Sequence, residues 1–387
     1  MPEAAKADEL QRYLRQLESN DVTVRSDAAH ALGKLGDEGA VEALARALQD
    51  SDEYVRKSAV MALRRISGQA AGEALRAALA DRSEQVVLQA VNGLRDIRDK
   101  GAVEPLIRVL ARRERSLQLA ATEALIRIGP DAVATLMAAF EDKVLRRKIG
   151  TQVMKILVEI GPRAIDSLLA ALAHDSQVVQ VTAISVLGRV GDHRIVRPLI
   201  DLFLRDPRMQ EAVVATIARL EERGVLDAGE TAHVDREIHP PKMVIEAFSG
   251  RPRAEVVEQL RSALENPMPK VRRFALRVLF ALFGEGASDQ LIASLDDEDV
   301  EVKRLAIRIL GKLRDKRVIE PLVALVQKEG GEHVEEAVWN TLKVLTDLRE
   351  FEQLRARVAR ERAGSRPSVR KVRTLRDVSP DWWREQD

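Results

Sequence analysis

The stretch Val302-Lys-Arg-Leu-Ala306-Ile-Arg-Ile-Leu310-Gly-Lys-Leu313 places apolar residues at i, i+4, i+8 and i+11. That spacing draws one stripe along an α-helix and leaves the opposite side to charged residues. The same stripe starts again at Val24, Val55, Val86, Leu117, Ile149, Val179, Met209, Val271 and Val334. From Val24 to Val334 is 310 residues, ten steps averaging 31. A period of that size marks stacked supersecondary units, each touching only its neighbours, and not one closed core. The chain of 387 residues is therefore expected to form one elongated array.

Each period divides into two helices. The first is marked by pairs such as Leu44/Leu48, Leu75/Leu79, Leu106/Leu110 and Leu168/Leu172, with Pro105, Pro198 and Pro321 in its opening turn. Proline is tolerated there because the first N–H groups of a helix have no partner to lose. The second helix follows a polar turn such as Asp50-Ser51-Asp52 or Asp296-Asp297-Glu298-Asp299, whose carboxylates favour a helix N-terminus. Gly36, Gly129, Gly161 and Gly191 stand where it ends, at the position that favours a left-handed C′ residue. The expected fold is all-α, a solenoid of about ten to eleven helix-turn-helix repeats, with a core of Leu, Val, Ile and Ala because aromatics are only 3%.

The pattern resembles HEAT repeats, in particular the bacterial HEAT-like repeats of the phycobilin-lyase type. The resemblance rests on Asp21-Val-Thr-Val24-Arg25, Asp52-Glu-Tyr-Val55-Arg56 and Asp299-Val-Glu-Val302-Lys303, within residues 10–350. It implies a right-handed superhelix with the second helices on the concave side. It also implies a ladder joining the Asp before the Val to the Arg after it. Val87, Gln118, Gly150, Gln180 and Gln210 break that ladder in the middle of the chain, and Arg25 and Arg56 read as structural. One step is degenerate: Met209 to Val271 spans two periods, with an atypical segment at about 222–250. There His233, Asp235, Glu237 and His239 alternate at a spacing of two, which scatters them around a helix and argues against a metal site.

Composition narrows the function. The formal charge is +1, so no global field favours nucleic acid or a membrane. There is no cysteine, and no run of 18 apolar residues, which together lead us to expect a cytoplasmic protein with no membrane span. Gly-rich phosphate loops, Gly-x-Ser-x-Gly elbows and His-Glu-x-x-His pairs are missing, and six scattered histidines offer little acid–base chemistry. HEAT-like iron hydroxylases carry repeated His-Glu pairs, and HEAT-like alkylpurine glycosylases a concave Trp with acidic residues; neither set is present. The expectation is a non-enzymatic scaffold or adaptor without cofactor. The competing readings are a phycobilin-lyase-like enzyme or chaperone of a chromophore protein, and a nucleic-acid-binding HEAT-like protein.

Positions two, six and nine after the leading apolar residue lie opposite the stripe, at 100° per residue. In repeats three to seven they are unusually apolar, with Leu88, Leu119, Ile126, Val158, Val181, Ala215 and Ala218 among them. After the degenerate step they turn basic, as Arg273, Arg277, Arg304 and Arg308, flanked by Lys270, Arg272, Lys303 and Lys312. The expected partner is another protein presenting an amphipathic or acidic segment. Residues 1–348 thus read as the solenoid, 349–363 as a capping helix, and 364–387 as a basic, flexible tail ending in Trp382 and Trp383. Two adjacent tryptophans in such a tail read as an anchor, docking either on the chain's own middle repeats or on another protein.

Overall fold

A computed structural model describes residues 3–226, 238–328 and 331–365. Among them every regular element is helical. The chain divides into two compact units, Met1–Phe203 with Ala215–Leu226, and Leu204–Val214 with Asp227–Asp387. The chain crosses between them after Phe203, after Val214 and after Leu226, the last inside the degenerate step, where the sequence predicts one continuous array.

In the first unit the second helices are Val22–Leu35, Glu53–Ile66, Glu84–Ile97, Arg115–Ile128, Lys143–Ile160 and Gln177–Val190, and each packs on the next. Their shorter partners, such as Val41–Ala47, Val103–Leu110 and Ile165–Ala171, form the other layer. The predicted stripe lies between the layers: Val55, Ala59 and Leu63 are buried, as are Val86, Ala90 and Leu94, and Leu117, Ala121 and Leu125. The second unit repeats this with Pro269–Phe283, Val300–Leu313 and Glu332–Leu345. There Val271, Ala275 and Leu279, then Val302, Ala306 and Leu310, are buried. The helix Leu348–Ser365 packs on Ile319–Lys328 and takes the place of a further first helix. Leu354 and Val358 are buried, the Phe351 ring stands edge-on to Trp339 at 5.9 Å, and Arg357 pairs with Glu320 at 2.9 Å. Pro269–Asp296 is long and apolar enough to cross a membrane, but it supplies a repeat's buried stripe and turns at Gly284, φ 52°.

The ladder differs from the one the resemblance implies. Asp21, Asp52 and Asp299 cap their own helices, accepting from Thr23 N, Tyr54 N and Glu301 N. Each ladder arginine reaches instead to an aspartate 25 residues on. Arg25 donates from Nε and Nη2 to Asp50 at 2.7 and 3.0 Å, Arg56 to Asp81 at 2.8 and 3.2 Å, and Arg272 to Asp297 at 2.8 and 2.7 Å. The remaining Nη1 donates to two carbonyls of the preceding turn: Ser19 and Asn20, Asp50 and Ser51, Asn266 and Pro267. One guanidinium thereby ties two successive interhelical turns together, a fork geometry that lysine cannot reproduce. Arg272 is consequently a buried ladder residue and not part of an exposed basic patch.

The middle of the ladder is less empty than the residue types suggest. Gln118 Nε2 donates to Arg112 O at 2.6 Å and Gln180 Nε2 to Leu172 O at 3.2 Å. In the fifth repeat the second helix starts a turn early, running 18 residues where its neighbours run 14. Counting from its cap, Asp142, the ladder position is Arg146, whose Nη1 donates to Phe140 O at 2.7 Å; Gly150, chosen by counting from the stripe, is one turn too late. Helix ends also need correction. Gly36 is left-handed, φ 65° and ψ 29°, but Gly191 is extended, φ −68° and ψ 160°. Its reason is space, since a Cβ there would stand 2.5 Å from both Ile195 Cδ1 and Leu187 O.

Two predictions follow, one from these charged pairs and one from the pair Arg317–Asp315, whose arginine is exposed. Arg272→Ala should cost about 3–5 kcal/mol by stranding Asp297, whereas the adjacent Arg273→Ala should stay within about 0.5 kcal/mol. Denaturant titration of the two variants checks this. The second concerns acid. Asp315 is held down to about 2 by the Arg317 guanidinium, the Arg317 backbone N–H and the Ser288 hydroxyl. A depressed folded-state value stabilises above the unfolded value of about 3.9 and is lost as pH falls toward about 2. Thermal melts should therefore show a smaller acid-induced drop between pH 5 and 2 for Asp315→Asn than for the parent chain.

Candidate partner-binding site

Successive second helices touch along a seam whose residues are small. A Cβ on Gly33 would lie 2.6 Å from Ala62 Cα, one on Gly188 3.1 Å from Thr216 Cγ2, and one on Gly311 3.0 Å from Thr341 Cγ2. In each pair the glycine stands nine residues after the leading apolar residue and its neighbour stands seven after. The threonines add a bond across the seam, Thr216 Oγ1 to Ile184 O at 3.3 Å and Thr341 Oγ1 to Ile307 O at 3.5 Å.

That geometry sorts the predicted site residues. Position nine faces the next helix, so Ile126 and Val158 are half-buried seam residues and not open-face residues. Position two does point outward: Leu119 is 61% exposed and Val181 39%, with Leu88 half-buried. Ala215, at position six, is exposed too, and so is Ala218, the exception at position nine. All of these belong to the first unit.

The basic residues belong to the second unit. Arg273 is half-buried. Arg277 Nη2 donates to His239 O at 2.8 Å, and the His239 ring lies 5.1 Å from Phe280. Arg277 thus holds the end of the degenerate segment against its neighbour, where Ile238 is fully buried. His233, Asp235 and Glu237 lie outside the described residues, as do Trp382 and Trp383. Among the described residues no three His, Asp or Glu side chains gather into a metal-binding group.

Arg304 and Arg308 open into a cleft of about 610 Å³ between Val300–Leu313 and Glu332–Leu345. It is floored by Gly311 and Thr341, the seam pair just described. Lys312 and Arg314 extend the cationic wall, and His333, Glu336 and Asn340 face them. Ala337 and the 61%-exposed Val344 add an apolar edge, with Leu348 four residues beyond, 77% exposed. Arg304 meets Glu301 of its own helix at 2.9 Å, an exposed pair of the kind worth less than about 1 kcal/mol. A competing carboxylate can replace Glu301 at little cost. Lys312 stood among the flanking residues read from the sequence, whereas Arg314, His333 and Val344 did not, because the cleft forms between repeats. The open-face rule would have found Arg304 and Arg308 only.

With the repeat geometry in view, comparison with known proteins is informative about fold. The family model described as HEAT repeats matches residues 10–95 and 288–369. These two stretches are HEAT repeats. Their second helices carry the Arg25–Asp50 and Arg56–Asp81 ties at one end and the cationic cleft at the other. No curated protein matches the chain. Solved structures similar to it include an engineered protein of the Northeast Structural Genomics Consortium (18% identity, 88% of this chain and 99% of that one, TM-score 0.37). Another is the complex of CpcE and CpcF of phycocyanin lyase from Nostoc sp. PCC7120 (21%, 62% and 91%, TM-score 0.31). A third comes from a study of the interaction between cadherin and beta-catenin (15%, 93% and 96%, TM-score 0.33).

The seam assignment predicts a contrast between two apolar residues on the helix Arg115–Ile128. Leu119→Asp should leave the melting temperature nearly unchanged, within about 0.5 kcal/mol, while Ile126→Asp should cost about 1–3 kcal/mol by burying a carboxylate against the next helix. Equal melts would return Ile126 to the open face.

Proposed function

We propose that the protein is a non-enzymatic scaffold or adaptor whose HEAT repeats capture a segment of another protein on the open face of the second helices. Single exposed apolar residues are ordinary on protein surfaces and do not carry this reading. The observation that carries it is the cleft at Arg304, Arg308 and Val344, which combines concavity, a wall of four cations against one facing carboxylate, Glu336, and an apolar edge. Its volume falls within the range of about 300–1,000 Å³ common to ligand sites. Such a combination suits a partner segment with acidic and apolar character. Leu119 and Val181 are exposed apolar residues of the first unit that offer a partner segment an apolar foothold there. HEAT repeats serve protein interaction in general, which agrees with this reading. A cysteine-free chain suits the reducing cytoplasm, where we place it.

Affinity capture with the intact chain and two variants tests the proposal. Arg304→Glu with Lys312→Glu should abolish capture of the partner while helicity and melting stay intact. Leu119→Asp with Val181→Asp should weaken it at least threefold. Undiminished capture by the charge-reversed chain would refute the scaffold reading.

A further inference from the structure

The cleft of the last two repeats has a definite arrangement, and it narrows what can fill it. Arg304, Arg308 and Lys312 are spaced four residues apart on one helix, so their attachment points advance by about 6 Å per step, in a row about 12 Å long. A row spreads charge along an axis. A single phosphate or sulfate would need donors converging on one point, which residues one helical turn apart do not provide. Opposite the row stand His333, Glu336 and Asn340, together with Ala337 and the exposed Val344, which form the apolar edge. An occupant must therefore be acidic on one side and apolar on the other over at least two helical turns. Asn340 adds both a donor and an acceptor to the wall, suited to a peptide group.

Nucleic acid shares the anionic character but not the rest. None of the residues lining the cleft is Phe, Tyr or Trp, so bases would have no ring on which to stack, and the Val344 edge would face phosphates. Charge and apolar surface together match a peptide.

Resting on the scaffold reading above, we infer that this cleft is a receptor for a helical acidic peptide segment. Such a segment carries carboxylates at i, i+4 and i+8 and an aliphatic side chain on its adjoining face. The carboxylates lie along Arg304, Arg308 and Lys312, and the first displaces Glu301 from Arg304. The aliphatic residue sits against Ala337 and Val344.

Fluorescence anisotropy with the full chain and three labelled probes tests this. The probes are a 14-residue helical peptide with Glu at i, i+4 and i+8 beside a Leu face, its counterpart with every Leu replaced by Gln, and a single-stranded oligonucleotide. The Glu/Leu peptide should bind at least tenfold tighter than either of the others. Arg304→Glu with Lys312→Glu should weaken it at least tenfold and flatten its salt dependence, Val344→Asp should weaken it at least fivefold, and Lys34→Glu should change nothing. If the Gln counterpart binds equally and Val344→Asp has no effect, the site reads charge alone and the inference falls. Equal or tighter binding of the oligonucleotide overturns it in favour of nucleic acid. If no probe binds while the charge-reversed chain still loses its captured partner, the peptide assignment falls and the scaffold reading stands. Loss of neither would remove both.

Discussion

Everything in this chain depends on one constraint: a pair of short helices cannot cover its own apolar stripe, so each repeat must be closed by the next. The stripe Val55, Ala59 and Leu63 is fully buried because a second layer and two flanking helices cover it. Burial of that kind is worth roughly 25 cal/mol per Å² and has no direction of its own. It holds the helices together without deciding how far apart they stand or at what height. Two further devices decide that.

Distance is set along the seam. Glycine at position nine lets two helices approach closely: a Cβ would collide with Ala62 at Gly33 and crowd Thr216 or Thr341 at Gly188 and Gly311. Height is set by the arginine fork. Arg25, Arg56 and Arg272 each grip the carbonyls of one turn and the aspartate of the next, and each aspartate also accepts a backbone N–H from the residue two further on. Burial alone would push the Asp81 carboxyl up, but the Arg56 guanidinium and the Ser83 N–H outweigh it and hold it below the usual range. Arg56 and Arg272 are buried, and Arg25 and the three aspartates half-buried, each with its partners present. Loss of one partner is therefore costly, although the pair itself need not add much net stability.

Since seams and forks use the flanks and turns of the second helices, their outward face is left to other purposes. In the first unit that face carries Leu119 and Val181; in the second it carries Arg304, Arg308 and Lys312. The cleft owes its shape to the seam beneath it. Gly311 lets Thr341 come close, and above them lies a trough with cations on one wall, His333, Glu336 and Asn340 on the other, and Val344 at its edge. A structural necessity at the floor thus produces a concave surface above it.

Periodicity in the sequence alone determined the repeat, its two helices, the buried stripe and the aspartate-capped helix starts, because each of these depends on residues within about 14 positions. A stripe at i, i+4, i+8 and i+11 admits one helical reading, and Val302, Ala306 and Leu310 are buried accordingly. What required the tertiary structure is everything that passes between repeats. The partner of Arg25 is Asp50 and not Asp21, Arg146 holds the ladder position in place of Gly150, and Ile126 and Val158 lie on a seam. Arg277 is engaged by a backbone carbonyl, and Lys312, Arg314 and Val344 come together with Arg304. Spacing along a chain states which residues share a face of one helix. Which faces meet depends on the offset between helices about 30 residues apart, and that offset is set by side-chain size at the seam and by guanidinium reach, neither of which a periodicity contains.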